Sequence, residues 1–178
     1  MKKKSYPLSE VYRLIEPGPV VMLTAPGRNR PDIMTLSWHT MMEFEPPLVG
    51  CVVSNRNYSF DLLRKAGECV INIPDINLAK KTVLCGNITG RRTDKFKTLG
   101  LTPLAAKRVK APLIKECFAN LECRIFDRSL VRKYNFFILE VLQAWVDPSK
   151  KNARTIHHRG RGLFGVTAKT IKLPSRKK

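Results

Sequence analysis

The sequence predicts a mainly β domain, a barrel of short strands carrying a few small helices. Three observations lead there. Apolar runs rich in β-branched residues recur at Val20 to Thr24, Leu48 to Val53 and Cys69 to Ile73, each too short for a helix and each bounded by Pro, Gly or Asn. Two longer strand patterns, Phe118 to Phe126 and Phe136 to Val146, follow in the second half. The helical patterns between them are short and stopped by glycine, which makes them additions to a sheet and not a layer of their own.

In chain order, Ser9 to Ile15 reads as a short helix closed by Pro17-Gly18-Pro19. Val20 to Thr24 is a buried strand. Ala25 to Pro31, with Pro, Gly, Arg and Asn, is a turn, and Ile33 to Trp38 is the second strand. A long polar and aromatic loop leads to Pro46-Pro47, which cannot lie within a sheet and so introduces the strand Leu48 to Val53. Ser59 to Lys65 places leucines inside and charges outside, with Gly67 as its C-terminal stop. Cys69 to Ile73 is the next strand. Leu78 to Leu84, ending at Gly86, and Asp94 to Thr98, ending at Gly100, are short helices of an excursion from the barrel. Asp147-Pro148 ends the strand Phe136 to Val146, and a last strand falls near Leu163 to Val166. No repeat or linker divides the chain, so one domain of 178 residues is expected, with a core over 17–146 and basic tails.

Composition narrows the function classes. An apolar content of 43% fits a packed globular protein, and no apolar run approaches the length of a membrane span. The start MKKKSYPLSEVYRL lacks the apolar stretch of a secretory signal, which points to the cytoplasm. Cys51, Cys69, Cys85, Cys117 and Cys123 are odd in number and include no C-x-x-C pair, as expected of small buried hydrophobes in a reducing compartment, with a redox or metal role as the alternative. His39, His157 and His158 have no partners at metal-ligand spacing. The net charge of +19 raises nucleic-acid binding, yet 27 of the 33 basic residues remain against 14 acidic ones once the terminal runs are set aside. The excess is therefore dispersed, and no nucleic-acid motif accompanies it; a field that attracts anionic cofactors is the other reading. Gly160 to Gly165 matches G-x-G-x-x-G, but no acidic residue follows it in the chain. The dinucleotide reading therefore fails, and a glycine turn into a final strand replaces it.

The chemistry concentrates between Asp32 and Pro74. The turn Ser54-Asn55-Arg56-Asn57-Tyr58-Ser59 sets hydroxyls and a guanidinium just before a helix, whose free N–H groups and partial positive charge suit a phosphate. The same residues also make an ordinary turn with helix-capping hydroxyls. One strand earlier, Thr35, Ser37 and Trp38 offer small donors beside a ring that a flat ligand can lie against, although they also suit an ordinary strand. Phosphate grip and planar platform together indicate a mononucleotide cofactor. Arg91, Arg92, Asp94 and Lys95 read either as a solvated helix start or as ligand contacts.

Four motifs in order give these residues a family context: PGPVVMLTA (17–25), MTLSW followed by EPPLVG (34–50), SNRNYSFDLLRKAGECVINIP (54–74) and GNITGRRTDKF (86–96), with a fainter PLIKECFANLECRI (112–125). Together they resemble the flavin reductase-like proteins with an FMN-binding split barrel, and within them the flavoredoxin-like branch. The resemblance implies a largely antiparallel, Greek-key split β-barrel, FMN as cofactor, and a homodimer with the flavin near its interface. It implies that Ser54, Arg56, Tyr58 and Ser59 hold the phosphate, that Arg91 and Lys95 lie near the ligand, and that Met34, Thr35, Leu36, Ser37 and Trp38 run along the isoalloxazine edge. It implies transfer of hydride from NADH or NADPH to FMN and onward to free flavin or a partner. No general acid or base is expected from the protein, because the cofactor carries the electron chemistry. The two alternatives are an electron carrier with tightly held FMN and a basic nucleic-acid-binding barrel.

Overall fold

The computed structural model describes residues 3–15, 18–171 and 174. The expected helix stop at Pro17 and most of the terminal basic runs (Lys2 and Arg176 to Lys178) lie outside them. The chain runs β1 (Lys4–Tyr6), a 3₁₀ turn (Leu8–Glu10), α1 (Tyr12–Ile15), β2 (Val21–Ala25), β3 (Asp32–Leu36), β4 (His39–Glu43), β5 (Leu48–Val52), α2 (Tyr58–Ala66) and β6 (Glu68–Ile73). After a second 3₁₀ turn (Ile76–Leu78) come α3 (Ala79–Asn87), α4 (Lys95–Leu99), β7 (Pro103–Leu104), β8 (Leu113–Ile114), β9 (Ala119–Asp127), α5 (Val131–Tyr134), β10 (Phe136–Val146), β11 (Ile156–His158) and β12 (Phe164–Val166).

The main sheet is antiparallel throughout, in the order β3-β2-β6-β9-β10-β5-β4, with β1 added along the far end of β10. Consecutive strands β3 and β4 therefore sit at opposite ends of this path, yet only Ser37 and Trp38 separate them. Leu36 and His39 can be at most about 11 Å apart. The two edges must approach each other, so the sheet curls into a half-barrel that is split between β3 and β4. Register shifts between β9 and β10 at Ile138/Leu139 and Val141/Gln143 mark bulges, which supply local bend and twist.

Burial explains the strand patterns. All of β2 is buried: Val21, Leu23 and Ala25 face the barrel interior, while Met22 packs under the helical excursion with Ile33, Leu78, Cys85, Phe96 and Leu99. A strand covered on both faces reads as a continuous apolar run. The edge strand β4 was expected as loop. Its side chains are all partly or fully exposed, so HTMME carries no apolar alternation to announce it. The second strand was expected to reach Trp38 but ends at Leu36, because Ser37 and Trp38 make the link across the split. Likewise α3 was expected to stop at Gly86 and continues to Asn87. Gly86 serves close approach there, since a Cβ would stand 3.3 Å from Thr35 Cβ. By contrast α2 ends at Gly67 in a left-handed cap (φ 75°), as its sequence indicates.

A buried amide pair ties the excursion to the sheet. Asn72 Nδ2 donates to Met22 O (3.0 Å), and Asn72 Oδ1 accepts from Ile114 N (2.8 Å) and Asn120 Nδ2 (2.7 Å). No helix among the described residues is long and apolar enough to cross a membrane.

Candidate functional site

A cleft of about 270 Å³ opens at the free edge of β3. Asp32, Met34 and Thr35 of β3 form one wall, Arg56 to Ser59 a second, and Cys85 to Arg91 the third, with Lys95 at the floor.

The second wall is a helix start without a side-chain cap. Ser54 O accepts from Asn57 N (2.9 Å) and Ser54 Oγ from Arg56 N (3.3 Å), which closes the turn. Asn57 occupies the N-cap position in extended conformation, and its side chain makes no capping hydrogen bond. The first N–H groups of a helix have no acceptor within it, so those at Tyr58 and Ser59 are open to an outside anion. Arg56 is exposed beside them. Across the cleft, the Arg91 guanidinium lies 5.2 Å from the centre of the Tyr58 ring, which braces it without using its hydrogen-bond donors. No acidic side chain pairs with Arg56 or Arg91 among the described residues.

Ser59 and Lys95 enter the site in a way the sequence did not indicate. The Ser59 hydroxyl is buried and donates to Asp32 Oδ2 at 2.6 Å, so its single proton is directed inward. Lys95 is 5% exposed; its ammonium donates to Ile33 O (2.6 Å) and Cys85 O (3.2 Å) and stands 3.7 Å from Asp32 Oδ1. Both side chains thus build the floor beneath the cleft. Asp94, which the sequence offers as part of a helix start or as a ligand contact, caps α4 by accepting from Lys97 N at 3.1 Å.

The first wall is a sheet edge. Alternate residues of such a strand turn both N–H and C=O away from the ladder. Ile33 O accepts from Lys95 Nζ and Cys85 Sγ, which places Ile33, and with it Thr35, in the outward-facing set. The Thr35 hydroxyl itself donates to Thr82 O at 2.6 Å. Of the remaining predicted residues, Met34 and Leu36 both pack into the barrel core, Met34 also lines the cleft, and Ser37 and Trp38 lie outside the lining. Trp38 is 71% exposed on the link between the two sheet edges. Asp32, at the centre of the floor, was not singled out in the sequence; a lone acid at a turn-to-strand junction carries no spacing signal.

All five cysteines are buried. Burial pushes the Cys85 thiol up, with the Lys95 charge opposing it, and raises Cys51 and Cys117 strongly. His39 approaches Pro19 O through Nε2 at 2.6 Å, and burial holds its pKa below the ordinary value. His157 and His158 lie on β11, away from the cleft lining. The Gly160-to-Gly165 motif is the turn and second strand of the β11–β12 hairpin, with Gly160, Arg161 and Gly162 all at positive φ. No group of three or more His, Cys, Asp or Glu side chains among the described residues is placed to hold a metal ion.

An open-edged antiparallel half-barrel with an uncapped helix start and two unpaired guanidiniums at one cleft defines a class: a split-barrel protein built to take an anionic, nucleotide-like ligand. The sequence matches the model of the flavin reductase like domain over residues 12–164, and the chain belongs to that family. An uncharacterised protein of Archaeoglobus fulgidus is 35% identical over 120 residues, covering 67% of this chain and 68% of its own. In fold, the chain is similar to an FMN-binding domain of a flavin reductase-like enzyme from Shewanella baltica (TM-score 0.90, 22% identity, 97% of this chain and 98% of that one). It is also similar to the flavoredoxin of Desulfovibrio vulgaris (TM-score 0.80, 20% identity, 88% and 90%). FMN is the cofactor of the family, and the donor set of this cleft fits its phosphate end: open helix amides, two guanidiniums and no competing acid at the rim.

Proposed function

We propose that this protein is an FMN-dependent oxidoreductase that takes electrons from NADH or NADPH and passes them to free flavin or a partner. The observation that carries the reading is the uncapped start of α2, with Arg56 beside it and Arg91 across the cleft, at the open β3 edge. The N–H groups of Tyr58 and Ser59 and the two guanidiniums hold the phosphate, with Ser54 shaping the turn. Outward backbone groups at Thr35 meet the polar edge of the ring, and Met34 lies against it. Ser37 and Trp38 flank its far side from the link across the split. When bound, FMN supplies hydride acceptance and onward electron transfer; the chain binds it, orients it and limits water around it. Ser59 and Lys95 act from below by holding the floor rigid.

The protein works as a homodimer in this reading. Trp38 (71% exposed), Met42 (45%) and Phe44 (46%) leave apolar surface at the split, beside where the ring would emerge. Anaerobic stopped-flow mixing of FMN-loaded protein with NADH and with NADPH tests the activity. Rapid bleaching of the flavin by one of them supports the reductase. Bleaching only by a reduced protein partner identifies an electron carrier instead. A colourless protein that shifts nucleic acid at physiological salt would overturn both.

A further inference from the structure

Asp32 touches every wall of the cleft. It belongs to β3, its Oδ2 accepts the Ser59 hydroxyl of α2 at 2.6 Å, and its Oδ1 stands 3.7 Å from Lys95 Nζ of α4. The third wall rests on it through a missing side chain. A Cβ at Gly90 would fall on Asp32 Oδ1, so the backbone of the 88–91 loop lies directly against the carboxylate. Arg30 donates to Gly90 O at 3.3 Å and holds the loop from the other side. That loop carries Arg91, which is braced on Tyr58 of α2. Asp32 is 3% exposed, and its Oδ1 has no hydrogen-bond partner.

A buried anion beneath an anion site is unfavourable by charge alone, since like charges repel. Its presence needs an offsetting role, and the contacts supply one. We propose that Asp32 is the positioning residue of the phosphate end: it fixes the start of α2 and the Arg91 loop at the spacing a phosphate requires, while Lys95 offsets its charge. This rests on the phosphate reading of the cleft given above.

The two roles open to Asp32 predict opposite signs. If it were only a buried charge, Asp32→Asn would tighten binding of an anionic ligand. If it positions the cradle, the same change loosens the cradle, because the new amide group would face Lys95 and Gly90. The experiment titrates wild type, Asp32→Asn and Gly90→Ala with FMN and with riboflavin, which lacks the phosphate, by flavin fluorescence. The readout is the ratio of the two dissociation constants, which a general loss of folded protein does not alter. The expected result is a fall of about tenfold in preference for FMN in both variants, with riboflavin binding changed by less than about twofold, as for loss of one charge-assisted hydrogen bond. If Asp32→Asn does not fold, Gly90→Ala decides alone, since it crowds Oδ1 without removing a donor from the cleft. An unchanged or increased FMN preference in the folded variants overturns the proposal. Wild-type protein that prefers FMN through Arg56 while these variants remain neutral sinks only the role of Asp32. Wild type with no preference for FMN over riboflavin sinks the phosphate site itself.

Discussion

Removing the Arg56 guanidinium should weaken FMN binding while leaving the fold intact. The side chain is exposed, forms no ion pair among the described residues and makes no hydrogen bond that supports the turn; the turn is closed by Ser54 and by the Arg56 main-chain amide. Arg56→Ala should therefore shift the melting temperature by no more than an ordinary surface substitution, within about 0.5 kcal/mol. A charge-assisted hydrogen bond contributes roughly 1.5–3 kcal/mol, and an exposed group sits at the lower end of that range because water screens it. The expected loss is about 1.5 kcal/mol, or roughly tenfold in dissociation constant. Arg91 is held in place by the Tyr58 ring, so less side-chain freedom is lost on binding, and Arg91→Ala should cost at least as much. In the proposed site the two residues face one ligand group from opposite walls, so the double variant should depart from additivity. Fluorescence titration with FMN, paired with thermal melts of the same samples, measures all three. Unchanged FMN affinity in folded Arg56→Ala and Arg91→Ala would show that the phosphate lies elsewhere.

Further outcomes concern the floor, the core and pH. Lys95→Met leaves the Asp32 carboxylate buried without its charge partner and should destabilise the fold by about 3–5 kcal/mol, read by urea unfolding. Phe137→Ala empties a fully buried position in the barrel interior, which stacks edge-on to Phe60 at 5.4 Å, and should cost about 3–5 kcal/mol. Burial lowers the His39 pKa, so the unfolded chain takes up a proton there before the folded one does. Stability contributed by neutral His39 is thus complete above the unfolded value of about 6.5 and falls as pH drops below it. His39→Gln should flatten the melting temperature between pH 7 and pH 5.5 relative to wild type, and an identical slope would remove His39 as the cause. If the dispersed positive charge steers anionic ligands, FMN association should slow with added salt while dissociation changes less, because screening acts over about 8 Å at 0.15 M. A flat on-rate across that range would exclude steering.

Much of the fold was legible because burial, continuous along β2 and β6 and largely alternating along β10, leaves a simple signature. β10 begins at Phe136 and ends at Val146 as the sequence indicates, and β6 and α2 are found where the apolar run and the glycine stop place them. The strands that escaped are exposed or only two or three residues long. β4 is an exposed edge, and β7 and β8 have two residues each. The split itself follows from topology: nothing in Ser37-Trp38 says that the residues before and after them lie at opposite ends of one sheet. At the site, residue types were readable and directions were not. Ser59 and Lys95 have the chemistry of phosphate ligands, yet both turn inward, because Asp32 is 27 positions from Ser59 in sequence and adjacent in space. Gly90 and Asp32 carry no signal in the sequence for the same reason, since a glycine that makes room for a carboxylate cannot be told from a loop glycine until the two are seen together.

In the reading proposed above, the β3-edge cleft holds FMN by its phosphate. Equilibrium titration of the purified wild-type chain with FMN, riboflavin and FAD, followed by the visible flavin spectrum, tests it most directly. The expected result is one FMN per chain, a preference over riboflavin of at least about tenfold from the charge-assisted phosphate contacts, and no tighter binding of FAD. Riboflavin bound as tightly as FMN, or no perturbation of the flavin spectrum by the protein, would contradict it.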